Sequence, residues 1–247
     1  MPVSGLSCSG SKPTRSQSKD MNRARAATTA LVLNCALVSY AILRGLGKSG
    51  NPGRYFGEGR FTTFFSCAQL LLVAFFAWQT FLNRRRLAPG RSVFSGPALW
   101  AFVAAGFLFL AADDAFKIHE RIDIIIHEVF QMQETPFTDR LDDALIALYG
   151  VIGFGFLWTY RRELLVFKEI LPLLGAGFVS LAASVLCDTV SNDQTVLRWF
   201  FQDAPVPKQL NGWFSAGDGA FTLIGEGFFA AAFYLAFQSS RKSSAAA

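Results

Sequence analysis

Carboxylates and both histidines of this 247-residue sequence fall in a few short segments, where their spacing could support metal or proton chemistry. Asp113 and Asp114 are followed by His119 and Glu120, and the second histidine, His127, comes two turns later. If one helix runs through this segment, residues at i, i+4, i+7, i+11 and i+14 share a face. The predicted stripe consists of Asp113, Lys117, Glu120, Ile124 and His127.

A glutamate deep in an apolar run is the strongest single candidate. Glu226 follows Asp218 and Thr222 at i+8 and i+4, which places it about 12 Å along a helix from Asp218. An ionisable side chain at that depth in a membrane helix is costly and normally has a functional partner. Gly225 and Gly227 flank it, so another helix can approach closely. The structural alternative is a protonated acid that joins two helices.

Other polar residues repeat the same spacing. Ser180, Ser184 and Asp188 lie at i, i+4 and i+8, and we interpret the two serines as helix-packing residues. Asp142 and Asp143 begin another apolar run, where a helix N-terminus favours negative charge.

Carboxylate oxygens suit Ca²⁺, Mg²⁺ or Mn²⁺, and a mixed set with imidazole suits Zn²⁺ or Fe. Closely spaced carboxyls in a membrane also serve proton relays. No cofactor other than a divalent metal ion is indicated. The predicted metal ligands are Asp113, Asp114, His119, Glu120, Asp188 and Glu226. The predicted transport or proton-relay residues are Glu226, Asp218, Asp142 and Asp143. In the alternative interpretation, the histidines are solvated residues of an amphipathic surface helix.

Several familiar chemistries are excluded by pattern. The sequence contains no HExxH, GxSxG or Walker A motif, and two histidines cannot form a three-histidine zinc site. Its four cysteines have no CxxC spacing, so neither a disulfide framework nor a cysteine zinc site is indicated. The net charge of +5 is spread along the chain, so nucleic acid is not an expected partner.

The elements that position these residues are predicted to be membrane helices. Hydrophobic residues make up 52% of the chain, and mean hydropathy is +0.33. Runs such as residues 70–77 do not alternate in polarity, which favours helices over a barrel. We predict an all-α, polytopic membrane helix bundle of about six transmembrane helices, with an amphipathic helical extension after span 3. The predicted spans are Ala26–Leu43, Phe61–Leu82, Gly96–Ala112, Ala144–Tyr160, Ile170–Leu186 and Ala220–Phe237.

The distribution of charge predicts orientation. With six spans, fourteen of the 23 Lys and Arg residues lie on the side of the two termini, so both termini are predicted to be cytoplasmic in a multi-pass cell membrane protein. Fourteen of the eighteen acidic residues lie toward the other side. We predict disordered cytoplasmic tails at 1–25 and 239–247 around a transmembrane bundle at 26–238.

Three functions fit these features. The first is a carrier or channel-like protein that binds a cation or protons near its outer face. The second is a membrane-embedded, metal-dependent enzyme acting on a lipid-like substrate. The third is a non-catalytic subunit of a membrane complex, whose partner is another membrane protein or a second copy of the chain. The lipid bilayer is a partner in all three.

Overall fold

The structure is a computed structural model that describes residues 15–57, 59–87, 95–130, 141–192 and 208–245. These residues are helical and contain no strand. Short 3-10 turns at Pro52–Tyr55 and Lys168–Ile170 join longer helices. The α-helices of the described chain are α1 (Arg15–Ser49), α2 (Phe61–Arg86), α3 (Ala98–Phe116), α4 (Ile118–Phe130), α5 (Leu141–Thr159), α6 (Arg161–Leu165), α7 (Leu171–Asn192) and α8 (Lys208–Ala245).

Five of these helices are long and apolar enough to cross a membrane. Large apolar side chains such as Leu33, Phe64 and Val179 are exposed along them, as expected of surfaces that face lipid. The all-helical fold and the membrane-type helices therefore agree with the sequence prediction. The five segments are Met21–Ser49, Phe61–Arg86, Ala98–Phe116, Lys168–Ser191 and Gln209–Ser244, and α5 adds a shorter apolar stretch, Leu148–Thr159.

Helix α8 is the centre of the bundle. It packs against α7, α2 and α1, and α3 packs on α2. Small residues, including the fully buried Ala77 and Ala232, allow the helices to approach closely. Trp100 fills the core between α3 and α8, with its ring 4.8 Å from that of Phe167 and 6.0 Å from that of Phe233.

Polar contacts define the two ends of the bundle. Ser66 near the start of α2 reaches Glu226 in α8, and Asn83 near the end of α2 reaches Ser240, so these helices are parallel. We call the end that contains Asp113, Asp114 and Asp218 the acidic end. The opposite end, which contains Arg84, Arg85 and Arg86 of α2, is called the basic end.

The helix predicted to run from Asp113 to His127 is interrupted. Lys117 adopts a left-handed conformation with φ 54°, so α3 ends at Phe116 and α4 begins at Ile118. The Asp113 carboxylate accepts the backbone N–H of His119 at 2.8 Å and so satisfies a donor at the start of α4. The single stripe is therefore wrong, because the chain turns at Lys117 and brings His119 back to Asp113.

The terminal helices are longer than predicted. α1 begins at Arg15 and therefore starts within the segment 1–25. α8 continues to Ala245, past the predicted end of the bundle at residue 238. The rest of the predicted N-terminal tail, residues 1–14, lies outside the described residues.

Candidate functional site

Glu226 is buried where α8 meets α2. The residue is 5% exposed, and the Ser66 hydroxyl donates to its Oε1 at 2.7 Å. Oε2 is also buried and has no hydrogen-bond partner among the described residues. Most buried polar atoms are paired, so an unpaired carboxyl oxygen needs an explanation such as a bound ligand or proton. Glu226 is therefore shielded from solvent by the helices around it.

Asp114 lies close to this carboxyl and acts electrostatically on it. The Cys67 thiol donates to Asp114 Oδ2 at 3.4 Å and also lies 3.6 Å from the carbonyl of Ala111. Asp114 is partly buried, whereas Glu226 is 5% exposed. The neighbouring residues Ser66 and Cys67 of α2 thus bind the carboxyls of Glu226 in α8 and Asp114 in α3.

Asp113 and His119 form a second buried pair beside this contact. Each is 5% exposed, and Asp113 Oδ2 lies 2.9 Å from His119 Nδ1. The other carboxyl oxygen holds the backbone of His119, so the imidazole has a fixed orientation. Both residues also act electrostatically on Asp114. The turn at Lys117 therefore brings His119 to Asp113, as a pair and not as part of a set of three metal ligands among the described residues.

The remaining residues of the predicted stripe lie elsewhere. Glu120 pairs with Lys117 at 2.8 Å, and both side chains are 41% exposed. His127 Nδ1 lies 3.1 Å from the carbonyl of Asp123, within its own helix. The structure does not bring Glu120 or His127 to Glu226.

Asp218 belongs to a separate contact between α7 and α8. Ser184 donates to Asp218 Oδ1 at 2.5 Å and lies 2.7 Å from the Thr222 hydroxyl. Ser180 donates to the carbonyl of Phe221 at 2.8 Å. The interpretation of Ser180 and Ser184 as helix-packing residues is confirmed. The stripe of Asp218, Thr222 and Glu226 is divided, since its first two members face α7 and Glu226 faces α2.

The predicted metal ligands do not assemble into one centre. Among the side chains that the structure describes, no three His, Cys, Asp or Glu residues are grouped so that they could hold a metal ion. Asp188 acts electrostatically on Asp218, at the contact between α7 and α8. Asp142 and Asp143 are in the first turn of α5, and their side chains lie outside the described residues.

An amide pair next to Glu226 was missed by the sequence reasoning. Asn34 and Gln69 exchange two hydrogen bonds of 3.2 and 3.0 Å, which join α1 to α2. Gly227 makes room for them, since a Cβ there would lie 2.2 Å from Asn34 Nδ2. Gln69 is one turn beyond Ser66, so the polar face of α2 continues inward. The sequence signal for this pair was one polar residue, Asn34 or Gln69, in each of two apolar segments.

A buried ion pair at the basic end was also missed. Arg84 donates to Glu163 through Nε at 2.7 Å and Nη2 at 2.9 Å, and the Trp100 indole donates to the same carboxylate at 3.2 Å. Glu163 is 8% exposed. Glu163 and Arg84 are 79 residues apart in the sequence, so no local pattern indicated their contact.

Comparisons with known proteins identify the family of this chain. No curated protein and no solved structure matches the chain. A family model described as "Domain of unknown function (DUF8692)" matches residues 24–206, which is more than half of the chain. The match runs from α1 past the end of α7 and stops before α8, the helix that carries Glu226. The chain therefore belongs to the DUF8692 family.

Proposed function

We propose that this protein is a six-span carrier or channel-like protein of the cell membrane that takes up a cation or proton at Glu226. The observation that carries the proposal is the buried, unpartnered Oε2 of that residue. A carboxyl at the centre of a membrane helix costs about 2.5–3.5 kcal/mol to insert. Ser66 satisfies only one of its oxygens, so a bound cation or proton is the remaining means of offsetting this cost.

The direction of the helices supports the proposal of six crossings. The ring of Phe109 contacts Tyr149, and that of Phe102 stacks on Phe156, so α5 runs antiparallel to α3. α3 ends at the acidic end with Asp114, whereas Glu163 after α5 binds Arg84 at the basic end. The chain between α3 and Glu163 must therefore travel the length of the bundle. With α5 as a sixth span, both termini lie on one side, the cytoplasmic side by the distribution of Lys and Arg.

Access to Glu226 is proposed to come from the acidic end. Asp114 is partly buried and Glu226 is 5% exposed, so Asp114 is the more accessible of the two carboxyls. Acidic side chains at this end raise the local concentration of cations and protons. An ion taken up at Asp114 meets Glu226 next.

Flux measurements on reconstituted protein test this function. Purified protein in liposomes should carry protons or a small cation across the bilayer, and Glu226→Gln should abolish that flux while retaining side-chain volume. Glu128→Gln removes an exposed carboxyl of α4 and is the matched control, which should leave flux unchanged. Absence of flux in the unaltered protein across H⁺, Na⁺, K⁺ and Ca²⁺ gradients, or full flux in Glu226→Gln, contradicts the proposal.

The pair of Asp113 and His119 favours a second candidate, a membrane-embedded enzyme. A carboxylate that fixes the ring of a buried histidine is the usual support of a general base. In this case His119 acts on a lipid-like substrate entering from the bilayer. Incubation with a lipid extract, followed by mass spectrometry, should reveal a product that His119→Gln does not form. If no product forms with the unaltered protein, this candidate is abandoned.

A further inference from the structure

An open cavity at the acidic end lies against the short segment that joins α1 to α2. Its volume is about 860 Å³, and two arginines, Arg54 and Arg60, line it together with the phenol of Tyr55. Phe61 and Phe64, in the first turn of α2, also line it. The cavity thus combines cationic groups with aromatic rings that belong to a membrane-type helix.

The two arginines are available to a ligand. Both are exposed, and neither forms an ion pair with another residue of the described chain, although carboxylates are frequent at this end. Arg60 donates through Nη1 to the backbone carbonyl of Arg54 at 2.5 Å, and its other N–H groups remain for a ligand. Because both guanidinium groups line one cavity, an anion in it attracts both.

A third cation borders the same space. Gly59 lines the cavity, and a Cβ there would lie 4.0 Å from Cε of Lys117, at the turn between α3 and α4. The Lys117 ammonium donates to Glu120 at 2.8 Å, so its charge is partly balanced. The planar fork of an arginine matches the paired oxygens of a phosphate group, which makes a phosphate a suitable anion for this cavity.

The aromatic side chains place the cavity at the level of lipid headgroups. α2 begins at Phe61, and Phe64 and Phe65 in its first turns are 74% and 40% exposed. The ring of Phe61 lies 5.6 Å from that of Tyr40, which is 51% exposed on α1. Exposed aromatic rings at the end of a membrane helix mark the interface, and basic pockets there suit phospholipid headgroups.

The segment that carries the arginines is held in place before any ligand binds. Thr62 donates to the carbonyl of Tyr55 at 2.9 Å. Phe56 is 2% exposed and packs on α8, where a Cβ at Gly219 would lie 2.5 Å from its ring. A fixed backbone at Arg54 and Arg60 reduces the ordering cost of binding.

We propose that this cavity binds the phosphate of an anionic phospholipid from the leaflet at the acidic end. Arg54 and Arg60 hold the phosphate, and the acyl chains run along Phe64 and Phe65. A headgroup with a net negative charge binds better than a zwitterionic one, whose cation would meet the guanidinium groups. The site does not include Glu226, so the proposal holds whether or not the protein transports a cation or proton.

Native mass spectrometry of the full-length protein in detergent tests the site, with phosphatidylglycerol and phosphatidylcholine of the same acyl chains as probes. Phosphatidylglycerol should bind about fivefold more tightly or better, from the extra charge. Arg54→Gln and Arg60→Gln should each weaken its binding by about tenfold, since each removes charge-assisted hydrogen bonds. Arg121→Gln, at an exposed arginine of α4, is the matched control. Equal binding of the two lipids, or unchanged binding in both Gln variants, overturns the proposal.

The Arg54 side chain makes no hydrogen bond with the rest of the described chain, so Arg54→Gln keeps the test valid if Arg60→Gln loosens the segment. Arg54→Lys keeps the charge without the planar fork and should retain more phosphatidylglycerol than Arg54→Gln.

Two further measurements distinguish a lipid from a free phosphate. Phe64→Ala should weaken the binding of phosphatidylglycerol, whereas Phe178→Ala, at a ring of α7 that is 49% exposed, should not. Inorganic phosphate at the same concentration should leave the lipid bound, because it lacks the acyl chains. Displacement by inorganic phosphate, or full binding in Phe64→Ala, overturns the lipid as the occupant and indicates a free anion instead.

Discussion

The Asp113 carboxylate holds His119 at two points, with Oδ1 accepting the backbone N–H at 2.8 Å and Oδ2 lying 2.9 Å from Nδ1. This one side chain therefore joins the end of α3 to the start of α4 and orients the imidazole. The turn between the helices contains Lys117 in a left-handed conformation, which is unfavourable for a residue with a Cβ. The contacts of Asp113 offset that cost.

Replacing Asp113 should loosen α4. Asp113→Ala removes both acceptors, whereas Asp113→Asn keeps one carbonyl oxygen for the backbone of His119. We expect the alanine variant to lose about 1–3 kcal/mol of the free energy that holds α4 in place, and the asparagine variant to lose less. Amide hydrogen exchange followed by mass spectrometry should show faster exchange across Ile118–Phe130 in the order alanine, asparagine, unaltered. Glu128→Gln, on the same helix, is the control; equal protection in all four proteins contradicts the capping role.

The ion pair at the basic end should contribute to stability. Arg84 is 23% exposed and Glu163 8%, so the pair is partly shielded from water. Removing one partner leaves the other charge partly buried, and we expect Glu163→Gln or Arg84→Gln to cost about 1–3 kcal/mol each. The double variant should cost less than the sum of the two, as measured by unfolding in mixed micelles. Arg85→Gln, at an exposed neighbour, is the control, and strictly additive costs would show that the two residues do not interact.

Gly227 is required by the amide pair of α1 and α2. A Cβ in Gly227→Ala would lie 2.2 Å from Asn34 Nδ2 and 3.0 Å from Gln69 Oε1, so the amides must move apart. We expect a loss of about 1–3 kcal/mol from overpacking, measured as thermal unfolding in detergent. Asn34→Ala in the same chain should recover part of it by removing the clash. Gly106→Ala is the matched control, because its new methyl would have no atom within 4 Å. An equal loss of stability at both positions would show that the clash with the amides does not cause the effect at Gly227.

The six-span arrangement can be tested by accessibility. Single cysteines at Glu128 in α4 and Arg162 in α6, in a background without the native cysteines, should react with impermeant maleimide from opposite sides of the membrane. Protease-cleavable tags at the two termini should be cut from the same side. Cutting of the tags from opposite sides would mean an odd number of crossings, and labelling of both cysteines from one side would mean that α5 does not cross.

Apolar segments were predictable because a membrane span is a property of local length and composition. Phe61–Leu82 and Gly96–Ala112 appear within α2 and α3 with ends displaced by a few residues. The burial of Glu226 was also predictable, because a lone carboxylate in an apolar run has few alternatives to burial. The close approach expected at Gly225 is confirmed, since a Cβ there would lie 3.1 Å from the carbonyl of Gly177.

Partners were not predictable, because they depend on the order and rotation of helices. Asp218 and Glu226 share a helical spacing, yet one meets α7 through Ser184 and the other meets α2 through Ser66. The break at Lys117 had no sequence signal, since neither glycine nor proline marks it.

Helix α8 is fastened to its neighbours at successive heights, by Asp218 to α7, Glu226 and Ser240 to α2, and Gly227 to α1. A rotation by one residue, about 100°, would break all of these contacts at once. These contacts therefore fix the rotation of α8 relative to α1, α2 and α7. Helix α5 lies outside this group, since its described residues pack on α3, α4 and α6, and Glu163, which follows it, binds Arg84 at the basic end. A displacement of α5 that left this anchor in place would move Tyr149, which lies near Asp113, without breaking any of the contacts that hold α8.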